Sequence, residues 1–142
     1  MKIKPVVTEI LETQHTSFQL CFVLNSNITF ITGDSGTGKS AAFSFIQEMA
    51  AENSVIKCYN YLDNCKRYKT AIKKSKGKLF VIDNADILLD DEMRKYIALD
   101  PNNQYIIVGR NPTGLLLEQS EIMELVSSTD NGKTILSLKK YF

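Results

Sequence analysis

Residues 27–47, NITFITGDSGTGKSAAFSFIQ, run from an apolar β-prone stretch through a glycine-rich loop into a helix-forming segment. Gly33, Gly38, Lys39 and Ser40 fill every fixed position of the pattern G-x-x-x-x-G-K-[ST]. Glycines let the backbone fold back so that successive N–H groups point inward at an anion such as phosphate. The helix that follows offers its free amides and the positive end of its dipole to the same anion. Lys39 would reach the outer phosphates of a nucleotide, and the Ser40 hydroxyl would coordinate Mg²⁺. Four such positions match by chance in roughly 0.5% of chains of this size. A strand before the loop and a helix after it make chance rarer still. A glycine turn beside an exposed lysine is the competing reading.

The 142 residues, 1–142, read as one compact domain with a single sizeable core, without repeats or low-complexity linkers. Hydrophobic content of 44% and charged content of 23% argue against global disorder. A net charge of +1 argues against a chain built as a whole to bind nucleic acid. Cys21, Cys58 and Cys65 form no C-x-x-C pair and read as reduced thiols. His15 has no Cys or His partner at ligand spacing. The start, MKIKPVVTEILETQHT, is too polar for a signal peptide, and no apolar run approaches ~18 residues. The expectation is a soluble, cytoplasmic protein with no membrane contact.

Outward from the loop, SFQLCFVL (residues 17–24) alternates toward NITFIT across Asn25-Ser26, which suggests an antiparallel hairpin feeding the loop. KSAAFSFIQEMAAE carries an apolar face through Ala42, Phe43, Ile46 and Met49. SVIKCYNY is a short β-prone run, and DNCKRYKTAIKKSKGK a basic helix with Asp63 as candidate N-cap and Gly77 as stop. KLFVIDNAD and QYIIVGRNP read as strands buried on both faces. DDEMRKYIAL between them reads as a helix closed by Asp100-Pro101. The tail alternates on either side of Asp130-Asn131-Gly132, the pattern of a hairpin, while GLLLEQSE before it is ambiguous. The fold class expected is α/β: a mainly parallel sheet flanked by helices, with antiparallel hairpins at the N- and C-terminal ends.

ITFITGDSGTGKS resembles the Walker A segment of P-loop NTPases, and LFVIDNAD resembles their Walker B strand. The resemblance covers roughly residues 17–111. It implies a nucleotide-binding set of Gly33, Asp34, Ser35, Gly36, Thr37, Gly38, Lys39, Ser40 and Ala41, with Ser40 and Asp83 on Mg²⁺. One β-prone run and one helix lie between the two motifs, an order similar to the additional-strand division that holds AAA-type and ABC-type ATPases. That division places a further strand between the Walker strands, and QYIIVG is the candidate. Arg110 and Asn111, at its end, fall where these families place a γ-phosphate sensor; a plain surface turn is the alternative. The N-terminal hairpin is similar to the antiparallel lobe of ABC-type domains, yet no LSGGQ-like signature is present. DNAD lacks the DxxG pattern of GTPases and no NKxD motif occurs, which leaves ATP favoured by default.

Many ATPases of that division follow the aspartate with a glutamate that polarises the attacking water; here the position is Asn84. An amide orients water but takes no proton. Asp86 could supply a carboxylate, or it could cap the helix that follows. The run Lys66, Arg67, Lys69, Lys73, Lys74, Lys76, Lys78 contains no acid, and Tyr68 within it could stack on a base; a solvated helix face is the bland alternative. The expectation is therefore a Mg-dependent ATP-binding protein, with weak ATP hydrolysis as an extension. The alternative is a nucleotide-dependent switch that works through a protein or nucleic-acid partner. A small-molecule kinase is disfavoured, because no arginine-rich segment could serve as its lid.

Overall fold

The structure, a computed structural model, describes residues 4–32, 38–60 and 66–142. One half of its sheet is built from short, mostly apolar strands. β3 (Ile28–Thr32), β5 (Leu79–Ile82) and β6 (Gln104–Val108) carry few or no exposed residues, so each needs a neighbour on both edges and cover on both faces. β6 lies between β3 and β5 and is parallel to both, the position expected of QYIIVG. β4 (Ile56–Tyr59) extends this group in parallel beyond β5.

The rest of the sheet overturns the expected fold class. With β1 (Ile10–Gln14), β2 (Phe18–Val23), β7 (Ile122–Asp130) and β8 (Lys133–Lys140), eight strands form one mixed sheet, in the order β1-β2-β8-β7-β3-β6-β5-β4, curled into a half-barrel. The two remaining N-terminal strands, β1 and β2, pair with each other antiparallel. The expected pairing of residues 17–24 with NITFIT does not form. Residues between them act as a tertiary junction instead of a tight turn. Ser26 Oγ donates to Ile28 O and to Glu121 Oε2, while Asn27 Nδ2 donates to the carbonyls of Asp100 and Asn103. These buried polar groups bind the start of β3 to residues 100–103 and Glu121, which lead into its two neighbours in the sheet, something a two-residue hairpin could not do.

The tail hairpin, β7 and β8, turns at Asn131 and Gly132, both with positive φ as a primed turn requires. It is no appendage at the end of a parallel sheet. β7 pairs with β3 and β8 pairs with β2, so the ribbon occupies the middle of the strand order.

The helices are few and cover the sheet unevenly. α1 (Lys39–Glu52) places Ala42, Phe43 and Ile46 in one core with Phe22, Ile31, Val81, Ile106, Leu125 and Leu136. Period-two alternation sends Phe30, Phe80, Ile82, Tyr105 and Ile107 to the opposite face. There they meet α2 (Lys66–Lys74), the single turn α3 (Ala85–Leu88) and α4 (Asp91–Leu99). This second core contains no buried residue of β1, β2 or β8. The antiparallel pair β7–β8, with polar residues outward, tolerates one uncovered face and needs no helix there. Among the described residues no helix is long and apolar enough to cross a membrane.

Candidate functional site

The carboxyl ends of β3, β6 and β5 lie side by side, and each supplies part of one cleft. Ligands gather at such strand ends because the chain there leaves the sheet and exposes loops and helix starts. The cleft, about 510 Å³, is lined by Gly38, Lys39, Ser40, Asp83, Asn84, Asp86, Ile87, Val108, Gly109 and Arg110. β3 and β5 are separated by one strand, so the two motifs face each other across about 10 Å, two strand spacings.

On one side stands the start of α1. Gly38 has φ 96°, a conformation that favours glycine, and its carbonyl accepts the Ala42 N–H at 2.9 Å. No side chain caps the helix and its first turn contains no acid. A Cβ at Gly38 would lie 3.4 Å from Leu125 and 3.6 Å from Leu136, so the tail ribbon packs directly under the loop's exit. Gly33, Asp34, Ser35, Gly36 and Thr37 lie outside the described residues, as do Asp63 and Cys65. Lys39 and Ala41 sit in the first helical turn with Ser40 between them, and Lys39 and Ser40 both line the cleft.

On the other side Asp83 follows the last residue of β5 and is half buried. Burial pushes its carboxyl above the ordinary value, opposed by the Asn84 N–H that it accepts at 2.9 Å and by the positive charge of Lys39. Asp83 and Lys39 thus feel each other across the cleft. Asn84 adopts left-handed φ 51°, ψ 45°, and is exposed at the mouth as the N-cap of α3. Ile87, 64% exposed, forms an apolar lip beside it.

Asp86 departs from one of its two expected roles. It is not an N-cap, since Asn84 occupies that position. Its carboxylate accepts the backbone N–H of Arg110 at 2.8 Å and of Asn111 at 2.9 Å, which engages both oxygens. Arg110 lines the cleft with an exposed side chain. Asn111 turns its amide oxygen to the Thr113 N–H at 3.0 Å and shapes the turn. Two contributors had no signal as site residues in the sequence. Arg94, on the helix read only as acids first and bases later, is buried and its guanidinium holds the loop after β6. Gly109 reads as a strand stop, yet a Cβ there would come within 3.0 Å of Asp86 Oδ1.

The basic run is partly neutralised and contains no stacking platform. Tyr68 is 2% exposed and donates its hydroxyl to Leu88 O at 2.8 Å, so it packs in the core instead of facing a base. Lys69 pairs with Asp90, and Lys73 pairs with Glu92 at 2.7 Å. His15 stacks on Phe45 and approaches Glu48 at 3.1 Å. Burial pushes the Cys58 thiol up to about 11, which makes it unreactive. Among the described residues no group of three or more His, Cys, Asp or Glu could hold a metal. A magnesium–nucleotide site needs no such group, because Mg²⁺ takes one or two protein oxygens and completes its octahedron with phosphate and water. The Ser40 hydroxyl and the Asp83 carboxylate fit that donor set.

No family model, no curated protein and no solved structure matches this chain.

Proposed function

We propose that this protein binds ATP with Mg²⁺ at the cleft between α1 and β5, and that it hydrolyses ATP slowly. The observation that carries the reading is the placement of Lys39 and Ser40 opposite Asp83 in a single cleft, at the carboxyl ends of parallel strands. Lys39 and the α1 amides would neutralise phosphate oxygens, and Ser40 and Asp83 would hold the metal. Mg²⁺ supplies charge neutralisation to the phosphates. Adenine is favoured by the absence of guanine-reading motifs in the sequence.

Slow hydrolysis follows from the acids available. Asn84 cannot accept a proton, and both oxygens of Asp86 are occupied by backbone amides. These two features favour a nucleotide-dependent binding module or switch over a fast ATPase.

The test is thermal melting with MgATP, MgGTP and ATP in the presence of a chelator. A ligand held at 100 times its Kd stabilises by about 2.7 kcal/mol. MgATP should raise the melting temperature of the wild type and leave Lys39→Ala unmoved. No shift in the wild type sinks the binding reading. Phosphate release from the same samples reports the rate; rapid wild-type turnover would overturn the switch.

A further inference from the structure

We propose that Asp86 and Arg94 are positioning residues that hold Arg110 against the terminal phosphate, so that the cleft distinguishes a nucleoside triphosphate from a diphosphate; this rests on the nucleotide reading above. The two side chains, in contact with each other, together grip residues 110–113. Asp86 takes the amides: Oδ2 accepts Arg110 N–H at 2.8 Å and Oδ1 accepts Asn111 N–H at 2.9 Å. Arg94 takes the carbonyls, with Nη1 donating to Asn111 O at 2.6 Å and to Thr113 O at 2.9 Å. Arg94 Nη2 lies 3.6 Å from Asp86 Oδ1, so the two charges also face each other. Arg94 is 5% exposed. A guanidinium so buried is tolerable only while its partners stay in place, which makes the pair a rigid support.

The backbone so gripped ends in the side chain of Arg110 at the cleft. A guanidinium gives two parallel hydrogen bonds to a phosphate only when its approach is correct. Fixing the Cα of Arg110 removes part of the entropy that such an approach would otherwise cost. Gly109 completes the arrangement. Its missing Cβ lets the chain leaving β6 close onto Asp86; a Cβ there would lie 3.0 Å from Oδ1 and press the carboxylate aside by a few tenths of an ångström. Asp86 thus acts through Arg110, and a diphosphate lacks the group that Arg110 would meet.

The experiment is calorimetric titration of the full chain with MgATP and with MgADP, alongside phosphate release. The variants are Arg110→Ala, Asp86→Asn, Arg94→Lys and Gly109→Ala. Wild type should prefer ATP. Arg110→Ala and Asp86→Asn should lower the ATP-to-ADP affinity ratio about tenfold, the size of one charged hydrogen bond, with ADP affinity unchanged. Gly109→Ala should do the same with every charge present, and it serves if Asp86→Asn fails to fold. Arg94→Lys, which keeps charge without the fork, should fall between. A wild-type ratio in Asp86→Asn and Gly109→Ala overturns the assignment. So does an equal loss of both nucleotides, or lost phosphate release at an unchanged ratio, which would make Asp86 a base. Wild type that binds neither nucleotide overturns the nucleotide reading and the clamp with it. Wild type that binds both without preference overturns the clamp alone.

Discussion

Asp83 shows how an acid in the proposed binding cleft can be a liability to the fold that carries it. In an unfolded chain its carboxyl titrates near 3.8, and burial raises it in the folded protein against the pull of the Asn84 amide and Lys39. The fold then holds the proton more tightly than the unfolded chain does. Asp83 is therefore least costly below pH 3.8, and stability falls as pH rises from there through its folded value. Asp83→Asn keeps an acceptor for the Asn84 amide and should melt above wild type at pH 7, with the difference closing below pH 3.8. The same variant should lose the magnesium-dependent part of any ATP stabilisation. A lower melting temperature for the variant at pH 7 would show that burial does not govern this group. Asp83 was legible in the sequence, because an acid after four apolar residues marks the end of a buried strand. Arg94 and Tyr68 were not. Each has a polar tip on an amphipathic helix, and only the packing of that helix says whether the tip meets water or a buried carbonyl.

At the scale of elements, α4 and the basic α2 form a unit. Asp90 caps α4 by accepting the Met93 N–H at 2.9 Å and also pairs with Lys69. The bond from Lys69, then the Met93 amide, hold its carboxyl below the ordinary 3.8. Asp90 thus contributes stability above that value and loses it as pH falls through its lower folded value. Asp90→Ala should cost about 1 kcal/mol by denaturant unfolding at neutral pH, the usual cost of a lost cap. The deficit should vanish in strong acid; a deficit that persists there would mean that the charge is irrelevant. The helix boundaries were readable from acids at the start and Asp100-Pro101 at the end. That α4 supplies the counter-charges for α2 was not, because ion pairs between helices depend on how the helices pack across the sheet.

For the whole molecule, the decisive feature is where the tail ribbon lies. β7 hydrogen-bonds to β3, β8 to β2, and Leu125 and Leu136 reach under Gly38. A chain ending before residue 122 would leave two strand edges open and the loop's exit without support. It should give no cooperative melting transition and should aggregate; a truncated chain that melts cooperatively would show the ribbon to be dispensable. The sequence by itself determined the local pieces: the lysine and serine at the helix start, the acid at a buried strand's end and the turn at Asn131-Gly132. Those depend on backbone freedom, periodicity and neighbouring residues, all written within a few positions. Only the tertiary structure decided that β2 pairs with β1 and β8 and not with β3. It alone decided that the sheet is mixed, and that Asp86 and Arg94 meet around residues 110–113. Strand partners and buried charge pairs are choices among distant segments, and alternation along a strand says which face is covered without saying which edge is joined.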